Sequence, residues 1–199
     1  MAWKFHSAAV EFTHSGGRMA LLDMAQQYLG QNEVAQISQQ LGINPALAQT
    51  AIAAALPMIV GGMARHAANP EGADVIQEAA RAQQDVPDDV GSVLQAGPPA
   101  DVSDGGGLLG RIFGQHRDTV QQGVQQASGL DSEKAKKLLM MLSPVVLGVL
   151  ARHQFGGQNA TQANPGAIAG TLQQEAQTAQ RQSPHLGGVL GNILGAMGG

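Results

Sequence analysis

Residues 21–66 of this 199-residue chain can be laid over residues 108–153 without a gap, an offset of 87. Ten positions are then identical, among them Gly42/Gly129, Pro57/Pro144, Gly61/Gly148, Arg65/Arg152 and His66/His153. Ile37/Val124, Ile52/Leu139, Ile59/Val146 and Met63/Leu150 are conservative pairs, and Asn44 falls on Asp131. After an insertion of eight residues in the second copy, Ala68-Asn69-Pro70 recurs as Ala163-Asn164-Pro165. Agreement of apolar positions, prolines and cap residues in one register marks an internal repeat. Whatever fold this chain takes is therefore built from one unit used twice.

The unit reads as helical. Leu21, Leu22, Ala25, Tyr28 and Leu29 stand at helical spacing, in a segment predicted to run to Leu41 with a break near Gly30. Gly42 and Gly129 stop helices, Asn44 and Asp131 cap the next ones, and Pro45 suits a first turn. PMIVGGMA at 57–64 and PVVLGVLA at 144–151 are apolar on every face, as in a helix surrounded by others. Each proline should kink a helix or begin one, and Ser143 before Pro144 points to a fresh start there. Asn69-Pro70 and Asn164-Pro165 read as caps opening two polar amphipathic helices. No segment alternates as a strand does. The predicted fold class is all-α: a multihelical bundle of two tandem homologous units, without a sheet.

Residues 1–18 match nothing in the second copy and are expected to be a poorly packed N-terminal extension. Unit 1 then spans 19–95, a linker rich in Gly, Pro and Asp spans 96–105, and unit 2 with a glycine-rich C-terminal segment spans 106–199. The core should be made of small side chains, because the chain has four Phe, one Trp and one Tyr against 43% hydrophobic residues overall. Backbones must then pack closely.

Charge excludes some functions. Only 13% of residues are charged and the net charge is −4. That gives no basic footprint for displacing counterions from phosphates, so no nucleic-acid partner is expected. With no cysteine, thiolate chemistry and cysteine-ligated metals are excluded. No signal peptide or transmembrane run of about 20 apolar residues is evident, and a soluble, cytoplasmic protein is expected.

Two constellations invite a functional reading. Gly106, Gly107, Gly110 and Gly114 have the same spacing as Gly187, Gly188, Gly191 and Gly195. Glycines four apart line one helix face and let another backbone approach. The array fits close packing inside the fold, association between molecules, or membrane contact. Arg65-His66 and Arg152-His153 are the second constellation. Cations in a last helical turn complement the dipole; paired histidines in a duplicated fold are also a candidate metal or proton-transfer site. Other signatures are weak. The glycines carry no Gly-Lys-Ser/Thr, Asp101, Ser103 and Asp104 lack the later ligands of a calcium loop, Asp85, Asp88 and Asp89 read as a solvated turn, and Lys134, Lys136 and Lys137 as a solvated helix face.

The run Ala55-Leu56-Pro57-Met58-Ile59-Val60-Gly61-Gly62-Met63-Ala64 resembles a known family. So do the central Gly105-Gly106-Gly107-Leu108-Leu109-Gly110-Arg111-Ile112-Phe113-Gly114 and Ser128-Gly129-Leu130 leading to Leu142-Ser143-Pro144-Val145-Val146-Leu147-Gly148. The family is the bacterial domain-of-unknown-function family 937, the YidB-like proteins. The resemblance covers residues 19–199, implies a multihelical fold, and offers no catalytic residues. No cofactor is implied. The expectation is a non-enzymatic protein-binding or self-assembly module that uses the glycine-lined helices at 106–114 and 187–199. Peripheral envelope association and an enzyme or metal site at the Arg-His pairs are the alternatives.

Overall fold

A computed structural model describes residues 20–96, 107–155 and 164–182. Every regular element among them is helical, and no strand occurs among the described residues. The order is α1 (Leu21–Tyr28), α2 (Gln31–Leu41), α3 (Pro45–His66), α4 (Pro70–Ala82), a 3-10 turn (Val86–Asp88), α5 (Val90–Ala96), α6 (Leu108–Phe113), a 3-10 turn (Gly114–His116), α7 (Arg117–Ser128), α8 (Ser132–Phe155) and α9 (Pro165–Gln182).

Local chemistry sets most of these boundaries. The segment expected from Leu21 to Leu41 is two helices, with Gly30 in extended conformation at the start of α2. Gly42 ends α2 and Gly129 ends α7, both with positive φ, +64° and +71°. After Gly42 the amide of Ile43 returns to the Ser38 carbonyl at 3.0 Å, which satisfies a carbonyl left over at the helix end. The Asn44 side chain accepts from the Leu47 amide at 2.7 Å, and Asp131 from that of Lys134 at 2.9 Å. Asn164 caps α9 in the same way, accepting from Ala167 at 2.8 Å. Asn69 does not: it occupies the cap position of α4 without a side-chain hydrogen bond.

Pro144 does not begin a helix. Pro57 lies inside α3 and Pro144 inside α8, and both helices run through. Ser143, which pointed to a fresh start, is fully buried and its hydroxyl donates to the Leu139 carbonyl one turn back, at 2.6 Å. A serine hydroxyl bonded this way belongs to a helix interior rather than a cap. The carbonyls deprived of a donor by the prolines are those of Ala53, which is exposed, and Met140, which is half-buried. Those positions suit proline because water can reach them.

Helices α3 and α8 form the centre. Every residue from Ala54 to Ala64 and from Met141 to Ala151 is buried. Both are long and apolar enough to cross a membrane by length and composition, yet 72% and 78% of their apolar windows lie inside the fold. Their cover is exchanged between the two ends of the chain: α4, which follows α3, packs on α8, while α9, which follows α8, packs on α3. Likewise α1 lies on α8 and α6 on α3, and α2 and α7 each touch both central helices. Small residues permit this density. A Cβ at Gly62 would lie 2.5 Å from Val120 Cγ2 and 2.9 Å from Phe113 Cδ1, so α6 and α7 approach α3 where it has no side chain.

Candidate functional site

The two Arg-His pairs occupy the last turns of α3 and α8, where cations complement exposed carbonyls. Beyond that their surroundings differ. The Arg152 guanidinium donates to Tyr28 Oη at 2.9 Å and lies 5.8 Å from the centroid of the Tyr28 ring. It also pairs with Asp88 in the first 3-10 turn. Bonding to Asp88, then to Tyr28, raises its pKa further above the ordinary arginine value. The following residues of α8 reach other elements. Gln154 donates to Thr171 Oγ1 of α9 at 2.6 Å, and the Phe155 ring lies 5.1 Å beneath the Arg81 guanidinium of α4. Within four residues, the end of α8 is thus tied to α1, α4, α9 and the 3-10 turn.

Asp88 is therefore not simply solvated, and neither is Asp89, whose carboxylate accepts from the Ser92 amide at 3.1 Å and caps α5. The Ser92 hydroxyl first, and then that amide bond, hold its carboxyl below the ordinary aspartate value. The lysines of α8 are engaged too. Lys134 pairs with Asp131, and Lys137 donates to the Gln40 carbonyl at 3.2 Å. With Glu133, Lys136, Leu41 and Met140 they line an open depression of about 280 Å³. A second one, of about 190 Å³, lies among Leu29, Val34, Ile52 and Leu56, with Gln26 and Gln49 at its rim.

At the end of α3, His66 is held between two glycines. A Cβ on Gly114 would meet the His66 ring at 2.8 Å, and Gly114 itself has φ +53°, so this residue serves internal packing. A Cβ on Gly72 would lie 2.0 Å from the His66 carbonyl oxygen. His116, in the turn after Gly114, belongs to the same neighbourhood. Burial first, then the charges of Arg65 and His66, lower its pKa below the ordinary histidine value. The His66 neighbourhood is thus α4 and the turn joining α6 to α7, whereas Arg152 faces α1 and the first 3-10 turn. Among the described residues, no group of three or more His, Asp and Glu is placed to hold a metal ion.

Of the glycine arrays, Gly107 precedes α6 in extended conformation, and Gly107 and Gly110 are half-buried. Leu109, Ile112 and Phe113 are the buried face of α6, and Arg111 reaches Glu78 of α4 at 3.3 Å. Gly106, Gly187, Gly191 and Gly195 lie outside the described residues. The roles of Tyr28, Asp88, His116 and the Gln154–Thr171 pair carried no signal in the sequence, since only tertiary packing brings Tyr28 and Asp88 to Arg152, His116 to His66, and α9 to the end of α8.

No curated protein and no solved structure matches the chain. One family does, over residues 23–153, from the first turn of α1 to the last turn of α8. The chain belongs to that family, described as a bacterial protein of unknown function, DUF937.

Proposed function

We propose that this protein is a non-enzymatic protein-binding or self-assembly module that works through its glycine-lined apolar segment at residues 187–199, the apolar face of its counterpart α6 being packed inside the fold. The observation that supports this reading is the engagement of its polar side chains. Arg152 is committed to Tyr28 and Asp88, and His66 is fixed against Gly114 and Gly72. Of the positions that the alternative acid-base or metal reading rests on, Arg152 and His66 thus hold elements of the fold against one another. The segment 187–199 has the opposite character: six glycines with Val189, Leu190, Ile193, Leu194 and Met197, and no charged residue. Such a composition favours close contact with another apolar surface.

Light scattering of the intact chain over a wide concentration range tests the assembly reading. The expected result is a mass that rises above the monomer with concentration. A monomer at every concentration, together with unchanged behaviour of an Ile193→Asp variant, would sink it. Flotation with anionic and neutral liposomes addresses the peripheral envelope reading, which requires binding that Ile193→Asp abolishes.

A further inference from the structure

Three of the chain's four lysines, Lys134, Lys136 and Lys137, fall within four residues. They stand in the first two turns of α8, at the end of a helix where the dipole disfavours cations, so helix stability does not account for them. Contacts account for only two. Lys134 pairs with Asp131, and Lys137 donates to the Gln40 carbonyl at the end of α2. Lys136 is half-buried and makes no hydrogen bond or ion pair among the described residues.

All three line the open depression of about 280 Å³ between α2 and α8. Leu41, which is buried, and Met140, which is half-buried, give it an apolar side. Met140 also brings the main-chain carbonyl that Pro144 leaves without its helical donor. The Gln40 side-chain amide is already given to the Leu94 carbonyl of α5, so the lysines are the donors a ligand would meet. The two engaged ones keep further N–H groups, since an ammonium has three. Of the nearby acids, Asp131 is taken by Lys134 and Glu133 is exposed. Three ammonium groups against two carboxylates leave this depression positive, in a chain of net charge −4.

A ligand that matches these walls has an anionic group for Lys136, a short apolar body for Leu41 and Met140, and an N–H for the Met140 carbonyl. Phosphate lacks the last two, and a fatty acid lacks the N–H. The end of a polypeptide has all three, in its α-carboxylate, last side chain and last amide. The volume is below the range of about 300–1,000 Å³ usual for drug-sized ligands and suits a terminal residue rather than a long segment. We propose that this depression binds the C-terminal carboxylate of a partner polypeptide whose last residue is apolar, with Lys136 as its main counter-charge. The inference goes beyond the assembly reading and does not depend on residues 187–199.

NMR titration of the full-length chain with N-acetyl-leucine, which carries the carboxylate, the apolar side chain and the N–H of such an end, tests it. Shifts are expected at the amides of Leu41 and residues 136–140. Binding should weaken about tenfold for N-acetyl-leucinamide, which lacks the charge, and about fivefold for 4-methylpentanoate, which lacks the N–H. Lys136→Gln should cost about tenfold in affinity for N-acetyl-leucine, and Lys136→Arg should restore most of it. Absence of shifts at these amides up to tens of millimolar, or an equal response to N-acetyl-leucinamide, overturns the proposal. Equal affinity for inorganic phosphate reduces the site to a simple anion patch, and equal affinity for 4-methylpentanoate to a fatty-acid site; either result overturns the chain-end assignment. The comparison of ligands on the unaltered chain decides the matter if Lys136→Gln disturbs the fold.

Discussion

The Arg152 guanidinium and the Tyr28 hydroxyl, 124 residues apart in sequence, meet at 2.9 Å and fasten the last turn of α8 to α1. Tyr28→Phe removes that bond and keeps the ring under the cation. It should cost about 1 kcal/mol in urea denaturation. Arg152→Ala removes the ring contact and the Asp88 pair as well and should cost more, by less than a further ~1 kcal/mol for the pair, because the Asp88 side chain is 67% exposed. Equal losses in the two variants would show that the tyrosine bond dominates.

His66 lies between two glycines that exclude a methyl group for different reasons. Gly114→Ala meets the imidazole ring and also forces a positive φ on alanine, and Gly72→Ala meets the backbone oxygen of His66. Both should lower stability by about 1–3 kcal/mol. Adding His66→Ala should restore part of the loss at Gly114 and none at Gly72. A double-mutant cycle measures the difference.

The pKa of His116 is lowered in the folded protein. The charged groups acting on it are Arg65 and His66 of α3. In neighbouring elements Arg111 is directed to Glu78, and Arg117 to Asp118. The native state thus favours neutral His116, and the unfolded chain takes up its proton first as pH falls. This contribution to stability is fully present above the ordinary histidine pKa of about 6.5 and is lost as pH falls from there to the lowered folded value. His116→Gln should flatten the fall in stability over that window, as followed by denaturant titrations at several pH values. An NMR titration of His116 giving a value at or above 6.5 would contradict it.

Three asparagines precede proline-opened helices, and they should differ. Asn44→Ala and Asn164→Ala each remove a side-chain cap and should cost about 1 kcal/mol. Asn69→Ala removes no such bond and should fall within about 0.5 kcal/mol of wild type. Thermal or urea unfolding of the three single variants checks the ranking.

The features legible in the sequence are those set within a few residues. Gly42, Gly129, Asn44, Asp131 and Asn164 act where they stand, so the helix ends they define follow from residue type. The uniformly apolar runs of α3 and α8 reveal their burial for the same reason. Pro144 misleads because Ser143 has two uses, cap or back-bonded hydroxyl, and only the packing around α8 selects the second. Asn69 misleads similarly: cap chemistry is available, but the bond is not made. The ties of Arg152 to Tyr28 and Asp88, and of His66 to Gly114, depend on which helix lies against which. Sequence spacing holds no record of that.

The exchanged cover of α3 and α8 has a consequence for how the protein is made. As the chain leaves the ribosome, α3 emerges early, but most of the helices that shield it, α6, α7, α8 and α9, are synthesised later, and α9 is the last described helix of all. Nearly the entire polypeptide must be available before that uncharged stretch from Pro45 to Ala64 is sheltered from water. The nascent first half is therefore a natural client for chaperones that hold apolar helices. By the same logic, a protease cut in the connection between α5 and α6 would leave two interlocked fragments that keep each other folded.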